Sequence, residues 1–240
     1  MLLSIITVSR WNDQALKRTL ESVDTCLSTL VDQNMFEQIV VLSEESDLQN
    51  EAFRRYLYIP PKGIYNAMNC GLKEANGKWV WFLNAGDECA PDILKIISEL
   101  EESDSGVLSA GVWVASKPGG ALTERFGNFT SPHQGTFYKT EVLQKNGGYR
   151  EDFKTLSDRV AFDEIRSGSK IQRSKNLAAI FYEDGLSCSK DGFLLRLKES
   201  FKYYKEKPWD MLRSYRLVRD IIFYTEKRFS GTRKKDSGGA

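Results

Sequence analysis

From residue 60 to 88 the chain runs PPKGIYNAMNCGLKEANGKWVWFLNAGDE, an amphipathic helix feeding a hydrophobic strand that halts on Asn84, Ala85, Gly86, Asp87 and Glu88. Ile64, Met68, Leu72 and Ala75 recur at helical spacing, and Gly77 follows as the expected stop. Trp79, Val80, Trp81, Phe82 and Leu83 make an almost unbroken apolar run, which predicts a central strand covered on both faces. A buried strand that delivers a carboxylate at its carboxyl end is how an open α/β sheet builds a site for phosphate and metal.

The same alternation extends along the chain. Leu2 to Val8 reads as a first strand, and Asn12 or Asp13 can cap a helix whose apolar face is Leu16, Leu20, Val23, Leu27 and Leu30. Short strands follow at Gln38 to Leu42 and Tyr56 to Ile59, then a helix from Asp92 to Glu102 and a valine-rich strand from Gly106 to Ala115. Residues 116–134 read as a loop-rich insertion, Gly135 to Lys139 as a strand, and a short helix ends at Gly147-Gly148. Strands alternating with helices predict an α/β fold: a Rossmann-like, mostly parallel twisted sheet flanked by helices, with Ser9, Ser43, Glu44 and Asp87 converging on its carboxyl edge.

Composition narrows the class. At 240 residues and 41% hydrophobic content the chain can bury one full core and a tail, but not a second complete domain. It has no run of eighteen apolar residues, and its start carries no basic region before the first strand, which predicts a cytoplasmic protein. Cys26, Cys70, Cys89 and Cys188 are too scattered for a zinc site and read as reduced thiols. The net charge of +1 hides an asymmetry: residues 1–189 hold 20 Lys and Arg against 26 Asp and Glu, and residues 190–240 hold 14 against 7.

Two constellations carry a resemblance. Gly63-Ile64-Tyr65-Asn66-Ala67-Met68-Asn69 with Phe82-Leu83-Asn84-Ala85-Gly86-Asp87 is similar to the paired motifs of the family 2 glycosyltransferases of the GT-A type, in their bacterial polysaccharide branch. His133-Gln134-Gly135-Thr136-Phe137, Gly147-Gly148-Tyr149 and Leu156-Ser157-Asp158 resemble that family's His-Gln-x-x-Phe, Gly-Gly-Tyr and Ala-Asp-Tyr-Asp elements in order and spacing. The likeness runs to about residue 190, where Glu183-Asp184-Gly185-Leu186-Ser187 resembles the family's Gly-Gly-Val-Ser turn. It implies a GT-A catalytic domain over 1–189, a basic amphipathic helical extension over 190–230 and a disordered tail over 231–240.

The resemblance implies an inverting transfer of a sugar from a nucleotide-diphosphate donor to a polysaccharide or lipid-linked acceptor, with Mn2+ or Mg2+ as cofactor. Asp87 is then the metal ligand, since the Asp-x-Asp position falls there and only the last acid is retained. Asp158 is the catalytic base, and a carboxylate suffices because the acceptor hydroxyl becomes acidic only as it bonds to the anomeric carbon. Thr7, Ser9, Glu44, Lys62, Asn66, Asn69, Asn84 and Gly86 join Asp87 around the donor, and His133 and Gln134 lie near the diphosphate or acceptor. Bland readings stand beside these: Asp87 as a turn acid, Asp158 as the N-cap of a helix from Arg159 to Arg166, and Asp163 and Glu164 as solvated charges.

Three carboxylates of the family pattern are absent, their places taken by Leu42 or Ser43, Pro61 and Asn66. That keeps a catalytically inert nucleotide-sugar binder as an alternative; a nucleotidyltransferase is disfavoured because no glycine-rich loop follows the first strand. In the extension, Phe193, Leu194, Leu197, Phe201 and Tyr204 trace one helical face, and Trp209, Leu212, Tyr215, Ile222 and Phe223 a second beside Arg213, Arg216 and Arg219. Such helices suit the inner face of an anionic membrane as well as packing on the catalytic domain, and the sequence leaves both open. Nucleic acid is excluded as a partner, because the basic residues alternate with acids and large apolar groups.

Overall fold

The computed structural model describes residues 1–222 apart from 12, 128–130, 184–189, 207 and 212. The cap at Asn12, the turn at Gly185-Leu186-Ser187, Cys188, Leu212, Phe223 and the tail over 231–240 therefore lie outside the described residues. The chain divides into two compact units, Met1–Glu183 and Asp184–Ala240.

The first unit opens with β1 (Leu3–Ser9) and α1 (Gln14–Leu27), whose N-cap Asp13 accepts the Leu16 amide at 3.0 Å. It continues through β2 (Phe36–Leu42), β3 (Arg54–Tyr58), α2 (Ile64–Glu74), β4 (Trp79–Phe82), the two-residue β5 (Glu88–Cys89) and α3 (Ile93–Glu102). After these come β6 (Val107–Ala115), β7 (Thr123–Arg125), β8 (Thr136–Lys139), α4 (Thr140–Lys145), α5 (Ser157–Arg166) and β9 (Ile171–Tyr182). The sheet order is β3-β2-β1-β4-β8-β6-β9-β5, with β7 added on β6. Strands β3, β2, β1 and β4 are all parallel, whereas β8 runs antiparallel to both β4 and β6, and β9 returns parallel to β6.

The pleat sorts β4 onto two cores. Trp79 and Trp81 pack on one face with Leu3, Ile5, Val23, Ile93 and Ile97 from β1, α1 and α3; Val80 and Phe82 pack on the other with Met68, Leu72, Tyr149 and Ala161. Both tryptophans are fully buried, and truncation of such a side chain to alanine costs about 3–5 kcal/mol. Each satisfies its indole N–H on a carbonyl, Trp79 on Leu100 at 3.1 Å and Trp81 on Gln134 at 2.8 Å.

Several details differ from the sequence pattern. Met68 and Leu72 are buried as the spacing predicts, together with Tyr65, Ala67 and Gly71, whereas Ile64 is exposed. Gly77 is not a helix cap: α2 ends at Ala75 in extended conformation, and a Cβ at position 77 would sit 2.5 Å from the Ser4 amide nitrogen. The glycine is there to let the chain pass against the start of β1. α5 begins at Ser157 with Leu156 as its N-cap, so Asp158 lies within the first turn and is not the cap. Asp163, expected to be solvated, is buried. The polar first half and apolar second half of β9 share no single period, and its 12 residues are unannounced by pattern. The insertion is partly ordered by β7 and by a short 3-10 turn at His133–Gly135.

At the amino end of β2, in register with Ser4 of β1, Glu37 is buried and receives the Ser4 hydroxyl at 2.7 Å, the Asn76 amide at 2.7 Å and the Arg55 guanidinium at 3.1 Å. Burial works to raise its pKa, but the hydrogen bonds from Asn76, Ser4 and Arg55 outweigh it and hold the carboxyl below its ordinary 4.5.

Two consequences can be measured. Gly77→Ala pushes backbone against backbone, so its denaturation midpoint should fall by the equivalent of roughly 1–3 kcal/mol. The unfolded Glu37 carboxyl binds its proton more tightly than the folded one, so its stabilisation is complete above about pH 4.5 and is lost as pH falls through the lower folded value. Glu37→Gln should therefore be less stable than wild type at neutral pH, with the gap narrowing in denaturant titrations at progressively lower pH.

Candidate active site

Strand β4 ends at Phe82, and the next residues fold into a tight turn in which the Asp87 amide bonds the Asn84 carbonyl at 3.1 Å. Gly86 takes φ +104° there, a conformation that favours glycine. Thr19 of α1, fully buried, fastens the turn: its hydroxyl accepts the Gly86 amide at 3.0 Å and donates to the Asp87 carbonyl at 2.6 Å. Gly86 thus shapes the turn's backbone, and the Asp87 side chain is thrown onto the carboxyl edge of the sheet.

The Asp87 carboxylate is largely buried. Its Oδ2 accepts the Gln134 side-chain amide at 2.9 Å, and its Oδ1 accepts the backbone amide of Tyr182 at 3.3 Å. The Tyr182 hydroxyl donates to Glu88 at 2.9 Å, and burial together with that bond pushes the phenol up to about 12. Both of these donors are neutral N–H groups, which hold the carboxylate in place. On the same turn, the side-chain oxygen of Asn84 is buried without a hydrogen-bond partner. A carboxylate beside an unsatisfied amide oxygen is a hard-oxygen donor set that fits magnesium or manganese sharing its shell with phosphate and water. Among the described residues no group of three or more His, Cys, Asp and Glu side chains gathers to hold an ion by itself.

Asp158 sits on the first turn of α5, and its Oδ1 accepts the Tyr65 hydroxyl at 2.9 Å. An aromatic cluster connects it with the other acid. Tyr65 packs on Tyr149 at 5.6 Å, Tyr149 meets Phe82 edge-on at 4.9 Å, and His133 stacks on Phe82 at 5.8 Å. Burial lowers the pKa of His133, and the nearby Asp158 charge opposes that shift without reversing it, so the imidazole is neutral at pH 7. His133 Nε2 and the Tyr149 hydroxyl are both buried and without hydrogen-bond partners. Consecutive residues therefore serve the two acids, with Gln134 bonded to Asp87 and His133 within the field of Asp158.

The remaining expected residues divide. Thr7 is fully buried and its hydroxyl accepts from Gln38 at 3.0 Å, inside a network that includes Arg54, so it does not reach the edge. Asn69 locks the Gly-Gly-Tyr turn, with its amide donating to the Tyr149 carbonyl at 2.7 Å and its oxygen accepting the Tyr149 amide at 2.8 Å. Asn66 donates to Glu151 at 3.0 Å, and Asn69 reaches the same carboxylate at 3.0 Å. An aspartate at position 66 would face Glu151 with like charge, so the departure from the family pattern is matched by its neighbour. Lys62 is exposed ahead of α2. Ser9 bonds the Trp11 carbonyl at 2.8 Å, and Glu44 accepts the Trp11 indole N–H at 2.8 Å while the Arg10 guanidinium lies 4.5 Å over that ring. Leu42 is wholly buried.

Five residues with a part in this site escaped the sequence reading: Trp11, Thr19, Tyr65, Glu151 and Tyr182. Trp11 carried a signal, an aromatic directly after a buried strand at its polar stop. Tyr65 sat inside the motif. Thr19, Glu151 and Tyr182 reach the site only through tertiary packing.

Comparison with known proteins gives a consistent answer. Two Mycobacterium tuberculosis proteins, named uncharacterized glycosyltransferase Rv1514c (strain H37Rv) and MT1564 (strain CDC 1551), are each 25% identical over 173 residues, covering 65% of this chain and 65% of theirs. Among solved structures, Staphylococcus aureus TarS with UDP superposes with a TM-score of 0.61 at 17% identity, over 85% of this chain and 66% of that one. The Pyrobaculum calidifontis mannosyltransferase PcManGT, with GDP-Man and Mn2+, gives 0.64 at 13% identity over 99% and 76%. These likenesses establish the GT-A fold. The pattern described as Glycosyl transferase family 2 matches residues 4–166, the stretch that contains both acids, the aromatic cluster and the turn at Gly86, and the chain belongs to that family of glycosyltransferases.

Proposed function

We propose that the protein is an inverting, metal-dependent glycosyltransferase that moves one sugar from a nucleoside-diphosphate sugar to a saccharide or lipid-linked saccharide at the membrane surface, in the assembly of a bacterial surface polysaccharide. The observation that carries this reading is the joining of Asp87 and Asp158 through His133, Gln134 and the Tyr65-Tyr149-Phe82 cluster. Neighbours of the same fold hold UDP, or GDP-Man with Mn2+, which supports a nucleotide-sugar donor and a divalent ion here.

In this reading Asp87, with the Asn84 amide oxygen, holds Mn2+ or Mg2+. When bound, the ion supplies charge stabilisation for the departing diphosphate. Trp11, Arg10 and Glu44 offer a flat, hydrogen-bonding rim for the nucleoside, and Lys62 a cation for the phosphates. Asp158 accepts the acceptor's hydroxyl proton as its oxygen attacks the anomeric carbon from the face opposite the leaving group, which inverts the configuration. Tyr65 is a positioning residue: its hydrogen bond turns one carboxylate oxygen of Asp158 aside and leaves the other for the acceptor.

Removing either acid should abolish turnover with little change in fold. Asp158→Asn should lower transfer by about 10²–10⁴-fold, the range for a general base, with donor binding retained. Asp87→Asn should lose the manganese dependence of nucleoside-diphosphate release. Wild-type turnover persisting in both variants would overturn the assignment, and an absence of any donor turnover in wild type would favour the inert binder.

Tyr65→Phe removes a hydrogen bond to a charged group, worth about 1.5–3 kcal/mol, so kcat should fall roughly 10- to 100-fold. KM for the donor should stay nearly unchanged, because the bond lost is to the acid that faces the acceptor. An undiminished kcat together with a loss of thermal stability would reduce Tyr65 to a packing residue.

A further inference from the structure

The turn that carries Asp87 is docked on one side of α1. Ala15, Thr19 and Ser22 follow one another at helical spacing and so share a face of that helix. The Ala15 carbonyl and the Thr19 hydroxyl both take the Gly86 amide, at 3.2 and 3.0 Å, and the Ser22 hydroxyl takes the Cys89 amide at 2.9 Å. Ser22 also donates to the Thr19 carbonyl at 2.7 Å, so its two bonds run to β5 and to its own helix.

Thr19 is the centre of this contact. Its hydroxyl has one proton to give, and three carbonyl oxygens surround it: Asp87 at 2.6 Å, Ala15 at 3.2 Å and Asn84 at 3.4 Å. A threonine inside a helix commonly closes that bond on the carbonyl four residues back, which here is Ala15. The shorter distance directs the proton instead to Asp87, 68 positions along the chain, while a lone pair of the same oxygen holds Gly86. The side chain is fully buried, so water does not compete for these bonds. The two carbonyls outside the helix belong to Asp87 and Asn84, the residues whose side chains are proposed to hold the divalent ion.

We propose that Thr19 is a positioning residue for the divalent-ion site, which rests on the reading of Asp87 as a metal ligand. Its hydroxyl fixes the backbone from which Asn84 and Asp87 project, and so sets how their side-chain oxygens stand relative to one another. Magnesium demands near-octahedral oxygen ligation, and groups that orient the ligands of a metal typically change its affinity roughly 10- to 100-fold when they are removed. Ser22 supplies a comparison of similar structural weight. It ties α1 to the same stretch of chain two residues beyond the acid, and its bonds reach neither ligand residue.

The test is Mn2+ binding by the full chain, read from the electron paramagnetic resonance of free Mn2+ with UDP present and again with GDP, after subtraction of the Mn2+ taken up by the nucleotide alone. Thr19→Val keeps the shape of the side chain and removes the hydroxyl, and should bind Mn2+ roughly 10- to 100-fold more weakly than wild type. Thr19→Ser keeps the hydroxyl and should bind Mn2+ as wild type does, although loss of the buried methyl lowers its thermal midpoint. Ser22→Ala should likewise melt earlier and bind Mn2+ as wild type does. Wild-type affinity in Thr19→Val overturns the proposal. An equal loss in Ser22→Ala overturns it too, because the cause would then be a loosened helix and not the Thr19 hydroxyl. If Thr19→Val does not fold, Thr19→Ser decides: affinity kept supports the proposal, and affinity lost with the methyl sinks it. Asp87→Asn, titrated alongside, keeps two failures apart. Equal binding by wild type and Asp87→Asn removes the metal reading and this role of Thr19 with it, whereas a loss in Asp87→Asn with none in Thr19→Val removes the role of Thr19 alone.

Discussion

The site depends on one joint in the sheet, the antiparallel pairing of β8 with β4. Because β4 runs parallel to β1, it must finish on the carboxyl edge, and a strand antiparallel to it must begin there. The pairing of Trp81 with Phe137, stacked at 5.2 Å, sets the register, and the Trp81 indole holds the Gln134 carbonyl at 2.8 Å. Those contacts lie in the core and are closely packed, so they carry His133 and Gln134 to the two acids as a rigid piece. A slip of one residue would turn Phe137 away from Trp81 and Gln134 away from Asp87.

Hydrogen bonds from neutral groups dominate the described geometry around both acids. Asp87 receives amide N–H groups and Asp158 a phenol, each of which orients a carboxylate without cancelling its charge. Such an arrangement keeps each acid positioned, which the proposed roles of cation ligand and general base require. The tyrosines around Asp158 reinforce this. Burial, aided by the carboxylates, raises Tyr138 and Tyr149 well above their usual range, so both stay protonated.

The departures from the family pattern become intelligible residue by residue. Asn66 faces Glu151, so its neutrality avoids a like-charge pair. Leu42 is part of the core with Leu16 and Val40, and the carboxylate nearest the end of β2 is Glu44, tied to Trp11. The acid missing from the strand end thus has a neighbour one loop further on, reached by an aromatic residue that the sequence placed after β1.

Local patterns determined much by themselves. The apolar runs at 2–8, 38–42 and 79–83 are strands because only a sheet buried on both faces accommodates them, and the turn at Asn84 to Asp87 follows from glycine and polar residues at a strand end. Motif order also paired the stretch around Asp87 with the one around Asp158. What tertiary structure decided is direction and exposure. Thr7 and Ser9 differ by two positions on one strand, yet Thr7 is sealed by Gln38 and Ser9 lies at the open edge, because burial depends on where the neighbouring strands and helices stop. Asn69 turned to the Gly-Gly-Tyr backbone, Tyr182 arrived from a strand without periodicity, and in the second unit Arg213 and Asp220 are buried while Leu194 and Phe201 are exposed. A sequence reports which side chains prefer to leave water; which surface takes them in is set by long-range packing, and that information resides in contacts between residues far apart in the chain.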